Sequence, residues 1–417
     1  MTDEHLLDSR TAWIRLAAIV ALSTLGGAGM WTVVVALPHV QAEFGAGRGD
    51  ASLPYTLTML GLGIGGVVMG RLADRFGVMR PLLLAILMLS GGYVLAGLAP
   101  SLIVYALAQG VMIGMLGASV SFAPLMADAS LWFRRRRGIA VALAASGNYL
   151  AGVVWPPLLT ALITAYGWRV AHVTVGVICL LAMLPLALML RGRAPGLQQN
   201  GRRSDVGAAR PLGLSRNGLT LVLAFAGIAC CVAMAMPQVH IVAYCGDLGY
   251  GVARGAEMLS LMLGCGIVSR LVSGLLADRI GGLPTLLLGA VAQGAALSLF
   301  LFFDGLGSLF LLSALFGLFQ GGIVPSYAVV VRENFPASEV GFRVGIVLSS
   351  TLVGMALGGW LSGVIFDATG SYAAAFLNGT AWNAANVLII ATLLLRRRAR
   401  PAAPATALDR PAGAATP

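Results

Sequence analysis

The chain has 417 residues, of which 58% are hydrophobic and 10% are charged, and its mean hydropathy is +0.89. This composition lies far outside the range of soluble globular proteins and indicates a polytopic membrane protein. The formal net charge is +11, and all 27 basic residues are arginines, which excludes lysine chemistry such as a Schiff base.

Apolar runs of about 20 residues, the length that crosses the core of a bilayer, recur along the whole chain. The first run has no signal-peptide cleavage pattern and is interpreted as a retained helix. We number the runs as spans 1 to 12 and place them at 13–37, 52–71, 79–99, 101–127, 137–165, 169–190, 217–245, 254–277, 283–303, 307–331, 340–366 and 372–395. The predicted fold is therefore an all-α membrane protein with twelve transmembrane helices.

Arginines are concentrated in the loops that follow even-numbered spans and in the segment after span 12. The loops that follow odd-numbered spans carry only Arg48, Arg169 and Arg254. By the positive-inside rule, this asymmetry predicts that both termini are cytoplasmic. The basic balance then reflects topology, and no nucleic-acid partner is expected.

A polar stretch between spans 6 and 7 divides the spans six and six. The motif G-R-L-A-D-R-F-G at 70–77 returns as G-L-L-A-D-R-I-G at 274–281, an offset of 204 residues. Two six-helix repeats are an architecture of secondary transporters. The predicted organisation is an N-terminal six-helix bundle at 1–190, a cytoplasmic linker at 191–216, a C-terminal six-helix bundle at 217–395 and a disordered cytoplasmic tail at 396–417.

Span 8 contains a charged side chain near its centre, Arg270, about eight residues from the next charge, Asp278. At a rise of ~1.5 Å per residue, this separation corresponds to roughly 12 Å of depth. Because an arginine at such depth costs ~2.5–3.5 kcal/mol on insertion scales, it should face a protein interior or a water-filled cavity. No carboxylate lies in the run from Leu259 to Ala277 that contains Arg270, which suggests an anionic ligand. The alternative is an arginine bonded to backbone carbonyls or to a polar neighbour such as Gln320.

The segment G-R-L-A-D-R-F-G-V-M-R at 70–80 resembles the span 2–3 signature of the major facilitator superfamily. The resemblance implies close helix contact at Gly70 and charge contacts of Asp74 and Arg75, including contacts with Asp128, that latch one state of alternating access. The full set of gating residues expected on this basis is Gly70, Arg71, Asp74, Arg75, Gly77, Asp128, Asp278 and Arg279. The other interpretation is that the charges only mark topology.

Three further segments, at 132–147, 167–169 and 269–281, resemble the monocarboxylate transporter branch and its bacterial relatives, near the oxalate/formate exchangers. In that branch a basic residue of span 8 binds the substrate carboxylate, which implies this role for Arg270. One fixed positive charge favours a monoanion over a dianion. We expect a monomer in the bacterial inner membrane that transports a small organic monocarboxylate, by proton symport or by exchange, without a cofactor or a metal.

Other substrate-binding candidates follow from the resemblance and from polar interruptions of apolar runs. Tyr327 matches a family position where an aromatic hydroxyl helps to hold the carboxylate, and Asn148 interrupts span 5. The remaining candidates are Tyr149, Gln320, Ser119, Phe122 and Ser350. Small hydroxylated residues in membrane helices also mediate packing, which is the competing interpretation for the serines.

Proton coupling rests on two histidines in this sequence. Eukaryotic members of the branch carry an acidic residue one turn before the arginine, where this chain has Gly266, and no Asp or Glu lies deep in a span. His39 and His240 are the remaining titratable candidates, because histidine titrates near neutral pH. A histidine at a helix end is often only interfacial.

Three other functional classes fit the sequence less well than transport of a monocarboxylate. A drug/proton antiporter typically carries a G-x-x-x-G-P-x-x-G-G signature in span 5, which G-N-Y-L-A-G-V-V-W-P-P lacks. A non-transporting membrane sensor would be expected to carry a signalling domain. An enzyme is least expected, because no metal cluster or nucleophile–base set is visible.

Overall fold

A computed structural model describes residues 7–121, 123–133, 137–191 and 211–398. All long elements of these residues are helices, which confirms the predicted all-α membrane fold. They are α1 (Arg10–Gly26), α2 (Ala28–Phe44), α3 (Arg48–Phe76), α4 (Met79–Gly97), α5 (Leu102–Leu107), a π-helix (Ala108–Gly117), a 3₁₀-helix (Ala118–Ser121), α6 (Ala123–Trp132), α7 (Arg137–Leu188), a 3₁₀-turn (Pro211–Gly213), α8 (Arg216–Asp247), α9 (Val252–Ile280), α10 (Gly282–Leu299), α11 (Leu306–Gln320), α12 (Ile323–Asn334), α13 (Ala337–Thr369) and α14 (Tyr372–Arg398).

Ten helical segments of the described chain are long and apolar enough to cross a membrane. One of them is α7, whose two arms meet at Gly167 and correspond to spans 5 and 6; its positive φ of 82° is a conformation that favours glycine. Span 4 is too interrupted to be counted among the ten, because it consists of α5, the π-helix, the 3₁₀-helix and α6. These two differences account for ten long segments against twelve predicted spans.

Two other spans contain breaks that hydropathy did not predict. Span 1 is longer than expected and is divided into α1 and α2 at Gly27, where a side chain would meet Ala151 of α7. Span 10 is divided into α11 and α12 at Gly321 and Gly322. A side chain at Gly321 would overlap the main chain of Gly266, so close packing against α9 requires glycine there.

Helix α1 starts and helix α14 ends on one side of the helix bundle, called here the termini side, and the opposite side is called the far side. The predicted linker includes residues 192–210 and the predicted tail includes 399–417, both outside the described residues. We refer to residues up to 191 as the N-half and to residues from 211 as the C-half. The boundaries of the two bundles and the cytoplasmic position of the termini stay predictions.

Two pairs of helices form the largest contacts between the halves. Helix α3 of the N-half packs against α13 of the C-half, and the first arm of α7 packs against α9. Helix α8 lies inside the C-half and is buried over most of its length. The interface between the halves contains Arg270 and is the region in which a path across the membrane would lie.

Candidate functional site

Arg270 of α9 lies at the boundary between the two halves. Its Nη1 donates a hydrogen bond of 3.0 Å to the carbonyl of Ala145 in the N-half, and its Nε donates one of 3.3 Å to the carbonyl of Gly321 in the C-half. The guanidinium carbon lies 3.8 Å from the centroid of the Tyr149 ring, in cation–π contact. Among the described residues, no carboxylate lies within ion-pair distance of Arg270. The positive charge of Arg270 is therefore stabilised by two carbonyl dipoles and the face of an aromatic ring.

The guanidinium keeps bonding capacity beyond these contacts. Of its five N–H groups, Nε and one on Nη1 have acceptors, while both groups on Nη2 have none among the described residues. Arg270 is only partly buried. A carboxylate that reached Nη2 would form a charge-assisted hydrogen bond, which is stronger than the carbonyl contacts.

Arg270 and its neighbour Ser269 also complete the hydrogen bonding at the break in span 10. Gly322 donates its backbone N–H to Ser269 Oγ at 3.1 Å, and the carbonyl of Gly321 accepts from Arg270. A broken helix in a membrane requires such partners, because the bilayer core provides none. The arginine therefore has a structural role in addition to any ligand contact.

The absence of a side chain at Gly266 makes room for the aromatic contact. A Cβ at this position would overlap Cε1 of Tyr149, so any larger residue would displace the ring. Tyr149 is itself 6% exposed, and its ring lies between the α9 backbone and the Arg270 guanidinium. Because position 266 is glycine, a ring face lies beside the arginine.

Among the described residues, contact between α7 and α9 reaches Arg270 but is not found one turn closer to the termini side. Nearer the far side, a Cβ at Gly264 would lie 3.6 Å from Val153. Contact continues to Arg270 and Ala145, but one turn further along α9 a Cβ at Gly274 would meet no described atom within 4 Å.

Helices α3 and α13 separate in the same direction. A Cβ at Gly63 would lie 3.6 Å from Leu352, whereas Gly70 and Gly345, two turns closer to the termini side on these helices, have no described atom within 4 Å of a Cβ. In the part of the chain that the structure describes, both helix pairs therefore lose contact toward the termini side. Arg270 lies at the inner end of the resulting gap.

On the far side the halves are held together by ionic contacts. Asp367 of α13 accepts hydrogen bonds of 2.7 Å from the backbone N–H groups of Arg48 and Gly49 at the start of α3. The Arg48 side chain donates to Asp247 at 2.9 Å and to the Tyr372 hydroxyl at 2.7 Å. Because a helix N-terminus carries partial positive charge, Asp367 is stabilised by both N–H groups and the dipole. The described conformation is closed on the far side.

Two of the residues predicted to contact substrate, Tyr327 and Gln320, form hydrogen bonds inside the C-half. The Tyr327 hydroxyl is fully buried and donates to Asn386 Oδ1 at 2.7 Å. Gln320 is also buried and accepts from Gln238 Nε2 at 2.8 Å, while its own Nε2 has no described partner. Gln320 precedes Gly321, the acceptor for Arg270, so it is adjacent along the chain to the arginine site. In this conformation Tyr327 is closed to a ligand.

The polar residues of spans 4 and 5 mainly contact neighbouring helices. The carbonyl of Asn148 accepts from Trp31 Nε1 at 3.3 Å, and its side-chain amide points to Met30 Sδ at 3.9 Å. Ser119 is buried and donates to the Met115 carbonyl at 2.6 Å. These contacts join α7 to span 1 and close a turn within span 4.

Of the two remaining residues predicted to contact substrate, Ser350 and Phe122, the structure describes Ser350. Ser350 donates to the carbonyls of Val347 and Ala224, at 2.7 and 3.0 Å, and thereby links α13 to α8. Phe122 lies outside the described residues. Tyr149 is thus the predicted substrate residue that the fold brings into direct side-chain contact with Arg270.

The two histidines lie in different settings. His240 is fully buried in α8 and its Nε2 lies 2.8 Å from the Gly359 carbonyl of α13, with its ring 6.2 Å from that of Tyr372. It therefore adjoins the far-side contacts. His39 is half-buried near the far end of α2, and its Nδ1 has no described partner.

Asp128 has a partner that the sequence did not predict, while its expected contact with Asp74 and Arg75 stays a prediction because the Asp74 side chain lies outside the described part. The Asp128 carboxylate pairs with Arg15 of α1, with Nε–Oδ2 at 2.8 Å and Nη2–Oδ1 at 3.0 Å. Arg15 also lies 4.5 Å from the centroid of the Trp132 ring and is 4% exposed. A buried bidentate partner on α1 takes up both oxygens of Asp128.

The other predicted gating residues lie at the termini-side ends of α3 and α9. Gly77 ends α3 with a positive φ of 79°, which explains its glycine. Arg71, Arg75, Asp278 and Arg279 are exposed. Gly70 has open space on its face, and the Asp74 side chain lies outside the described part. Their gating role stays a prediction.

Three residues that the sequence did not single out as functional have the clearest contacts between or within halves: Arg15, Arg48 and Asp367. Arg48 could have been noticed in the sequence, because it is one of the few arginines in loops that follow odd-numbered spans. It therefore departs from the positive-inside pattern. Arg15 lies close to the first turn of span 1, where charges are ordinarily interfacial. No pattern in the sequence marked Asp367.

The comparisons with known proteins agree with this geometry. The family model described as Major Facilitator Superfamily matches residues 19–306 and 258–416. Monocarboxylate transporter 11 of Homo sapiens is 30% identical over 89% of this chain and 80% of its own length, and MFS-type transporter pynF of Aspergillus niger is 26% identical over 78% of this chain and 74% of its own length.

A solved structure supports the fold. The bacterial homolog of the human lysosomal transporter Spinster, in an inward-facing and occupied conformation, superposes with a TM-score of 0.72 at 17% identity, over 94% of this chain and 98% of that chain. Together with the helices that span the membrane and the two halves joined at Arg270, these matches identify the protein as a multi-pass membrane transporter: the chain belongs to the major facilitator superfamily.

Proposed function

We propose that the protein is a secondary active transporter that moves a small organic monocarboxylate anion by alternating access, with Arg270 as the carboxylate anchor. The observation that carries the proposal is a partly buried guanidinium, at the inner end of a gap between the halves, with no carboxylate partner among the described residues and a free Nη2. A single fixed charge in that position matches a single carboxylate.

The relatives support the same substrate class. Monocarboxylate transporter 11 of Homo sapiens covers most of the chain, and its name states a monocarboxylate as cargo. The planar fork of arginine suits a carboxylate better than a cation or a neutral solute, because its N–H donors match two oxygens. We assign the same class of cargo to this chain.

The unequal closure of the two sides supports alternating access. The far side is closed through Arg48, Asp247 and Asp367, and the termini side is open at the level of Gly70 and Gly274. Transport then requires the far-side contacts to break while the helices approach each other on the termini side. An anion bound at Arg270 is available first to one side and then to the other.

The test is uptake by purified protein in liposomes, measured for lactate, pyruvate, formate, oxalate and benzoate and for a cationic drug. Arg270→Ala should abolish uptake of the transported anion, and Arg270→Lys should restore little of it because the fork geometry is lost. Arg254→Ala is the matched control, since Arg254 lies on the same helix in an exposed pair with Glu257.

The outcomes separate the proposal from its main competitor. Uptake of a carboxylate by Arg270→Ala at the wild-type rate would contradict the anchor role. Uptake of the cationic drug alone, with none of the anions transported, would favour the drug/proton antiporter instead. Internal pH recorded during anion uptake distinguishes proton symport, which acidifies the lumen, from exchange.

A further inference from the structure

The ring of Tyr149 has a relationship to Arg270 that the sequence did not predict. The guanidinium carbon lies 3.8 Å from the ring centroid, so the two planes are in direct contact. Tyr149 belongs to the N-half and Arg270 to the C-half. No hydrogen bond of the Tyr149 hydroxyl is present among the described residues, so the ring face makes the contact. The aromatic face is therefore the functional part of this side chain.

The contact between Tyr149 and Arg270 requires glycine at position 266. This glycine lies one turn before Arg270 on α9, and a Cβ there would overlap the Tyr149 ring. By contrast, a Cβ at Gly264, on the same helix and against the same arm of α7, would lie 3.6 Å from Val153 in ordinary contact. The steric requirement for glycine is thus specific to position 266.

We propose that Tyr149, admitted by the missing side chain of Gly266, is a positioning residue that holds the Arg270 guanidinium in its anion-binding orientation. This inference rests on the proposed function of Arg270. The ring restricts one face of the guanidinium, and the carbonyls of Ala145 and Gly321 fix two of its N–H groups. Both N–H groups of Nη2 are left without a partner among the described residues. A preorganised donor binds an anion more tightly, because less side-chain freedom is lost on binding.

The arrangement also sets the charge of the site. A carboxylate at position 266 would neutralise the arginine until it was protonated, whereas an aromatic ring leaves its full positive charge at any pH. Arg270 has no carboxylate within ion-pair distance among the described residues, and no histidine contacts it there. The site is therefore suited to an anion that binds without a proton, and its affinity should not change between pH 6 and 8 through groups in contact with the arginine.

The first test needs no knowledge of the substrate. Phenylglyoxal modifies guanidinium groups, and the rate of modification of Arg270 is measured by mass spectrometry after chymotryptic digestion of the purified protein. Removal of the ring in Tyr149→Leu should accelerate modification about tenfold, in line with the loss of a desolvated cation–π contact. Tyr149→Phe, which keeps the ring face, should be modified at the wild-type rate.

Glycine variants test the same contact by an independent route. Gly266→Ala should accelerate modification as Tyr149→Leu does, and Gly264→Ala should not. In the double variant Gly266→Ala/Tyr149→Leu the two effects should not add, because the methyl group then has no ring to displace. A wild-type rate in both Tyr149→Leu and Gly266→Ala would overturn the proposal, and so would full additivity in the double variant.

The second test connects the contact to the anion. A mixture of acetate, L-lactate, pyruvate and benzoate should slow the modification of wild-type Arg270, and the protecting concentration should be about tenfold higher in Tyr149→Leu and unchanged in Tyr149→Phe. The wild-type protection should be equal at pH 6 and pH 8. Equal protecting concentrations in all three proteins would refute the positioning role of the ring.

If the proposed function is wrong, the protection experiment gives a different result from the one expected when only the positioning role of Tyr149 is wrong. If the carboxylate mixture does not protect wild-type Arg270 at all, the anchor role is lost, while the dependence of the modification rate on Tyr149 and Gly266 still reports the contact itself.

Discussion

Asp367 accepts hydrogen bonds from the first two backbone N–H groups of α3, on Arg48 and Gly49, with both distances at 2.7 Å. Asp367 belongs to the C-half and α3 to the N-half. The Asp367 carboxylate therefore binds the N-terminus of α3 across the boundary between the halves. The Arg48 side chain adds an ion pair with Asp247 at the same level. Among the described residues, this is where ion pairing connects the halves.

Asp367→Asn should shift the protein toward a conformation that is open on the far side. A hydrogen bond to a charged group contributes about 1.5–3 kcal/mol, so the ratio of the two conformations should change by about tenfold to a hundredfold. The measurement is maleimide labelling of a cysteine introduced by Ser52→Cys, one turn inside the contact. Asp304→Asn, an exposed aspartate on the same side, is the control and should label as the parent does. Equal labelling in both would contradict the gating role.

Asp128→Ala should destabilise the protein strongly. Removal of one partner of a buried ion pair costs about 3–5 kcal/mol, because Arg15 would be left buried without its carboxylate. The loss is measured as a lower midpoint of thermal unfolding in detergent. Glu257→Ala breaks the exposed pair with Arg254 and should change stability by less than about 1 kcal/mol. Similar shifts for the two variants would show that the Arg15 pair is not buried as described.

Two adjacent glycines of α3 should respond in opposite ways to the same substitution. A Cβ at Gly65 would overlap the Met115 carbonyl, whereas Gly66 has no described atom within 4 Å of a Cβ. Gly65→Ala should therefore cost about 1–3 kcal/mol through overpacking against a rigid backbone. Gly66→Ala should be neutral or stabilise the helix by up to about 1 kcal/mol. Thermal unfolding of both variants checks this difference, and a reversed order would refute the packing of α3 on span 4.

Tyr327→Phe should reduce stability and leave anion affinity unchanged. The hydroxyl is buried and donates to Asn386 Oδ1, so its removal leaves an acceptor unpaired at a cost of about 1–3 kcal/mol. The two readouts are the unfolding midpoint and the half-saturating concentration for uptake. A raised half-saturating concentration with an unchanged midpoint would restore Tyr327 to the substrate contacts that the sequence suggested.

The fold was predictable because it depends on patterns that are local in the sequence. Hydropathy located the membrane spans, and the motif at 70–77 and its copy at 274–281 indicated the repeat. The π-helical part of span 4 and the break at Gly321 were not predictable, because hydropathy does not report which carbonyl an N–H group bonds. Both irregularities depend on neighbouring helices that approach closely at glycines.

The site was predictable in part. The depth of Arg270 and the absence of an acid between Leu259 and Ala277 were visible in the sequence, and they indicated an unusual charge. Its contact with Tyr149 was not visible, because residues 149 and 270 meet only through the crossing of α7 and α9. The same limit applies to Arg15 and Asp128, whose pairing depends on how α1 packs against the end of span 4.

The break in span 10 has a counterpart in the other half. Counted forward by the repeat offset of 204 residues, Ala118, where the 3₁₀-helix of span 4 starts, falls on Gly322. Each half thus loses regular α-helical hydrogen bonding at the same level of the repeat, and a helix bends most readily where that ladder is interrupted. In mechanical terms, both halves have a compliant point at one depth, which in the C-half is the depth of Arg270. We expect the walls of the gap to change angle there when the far-side contacts break.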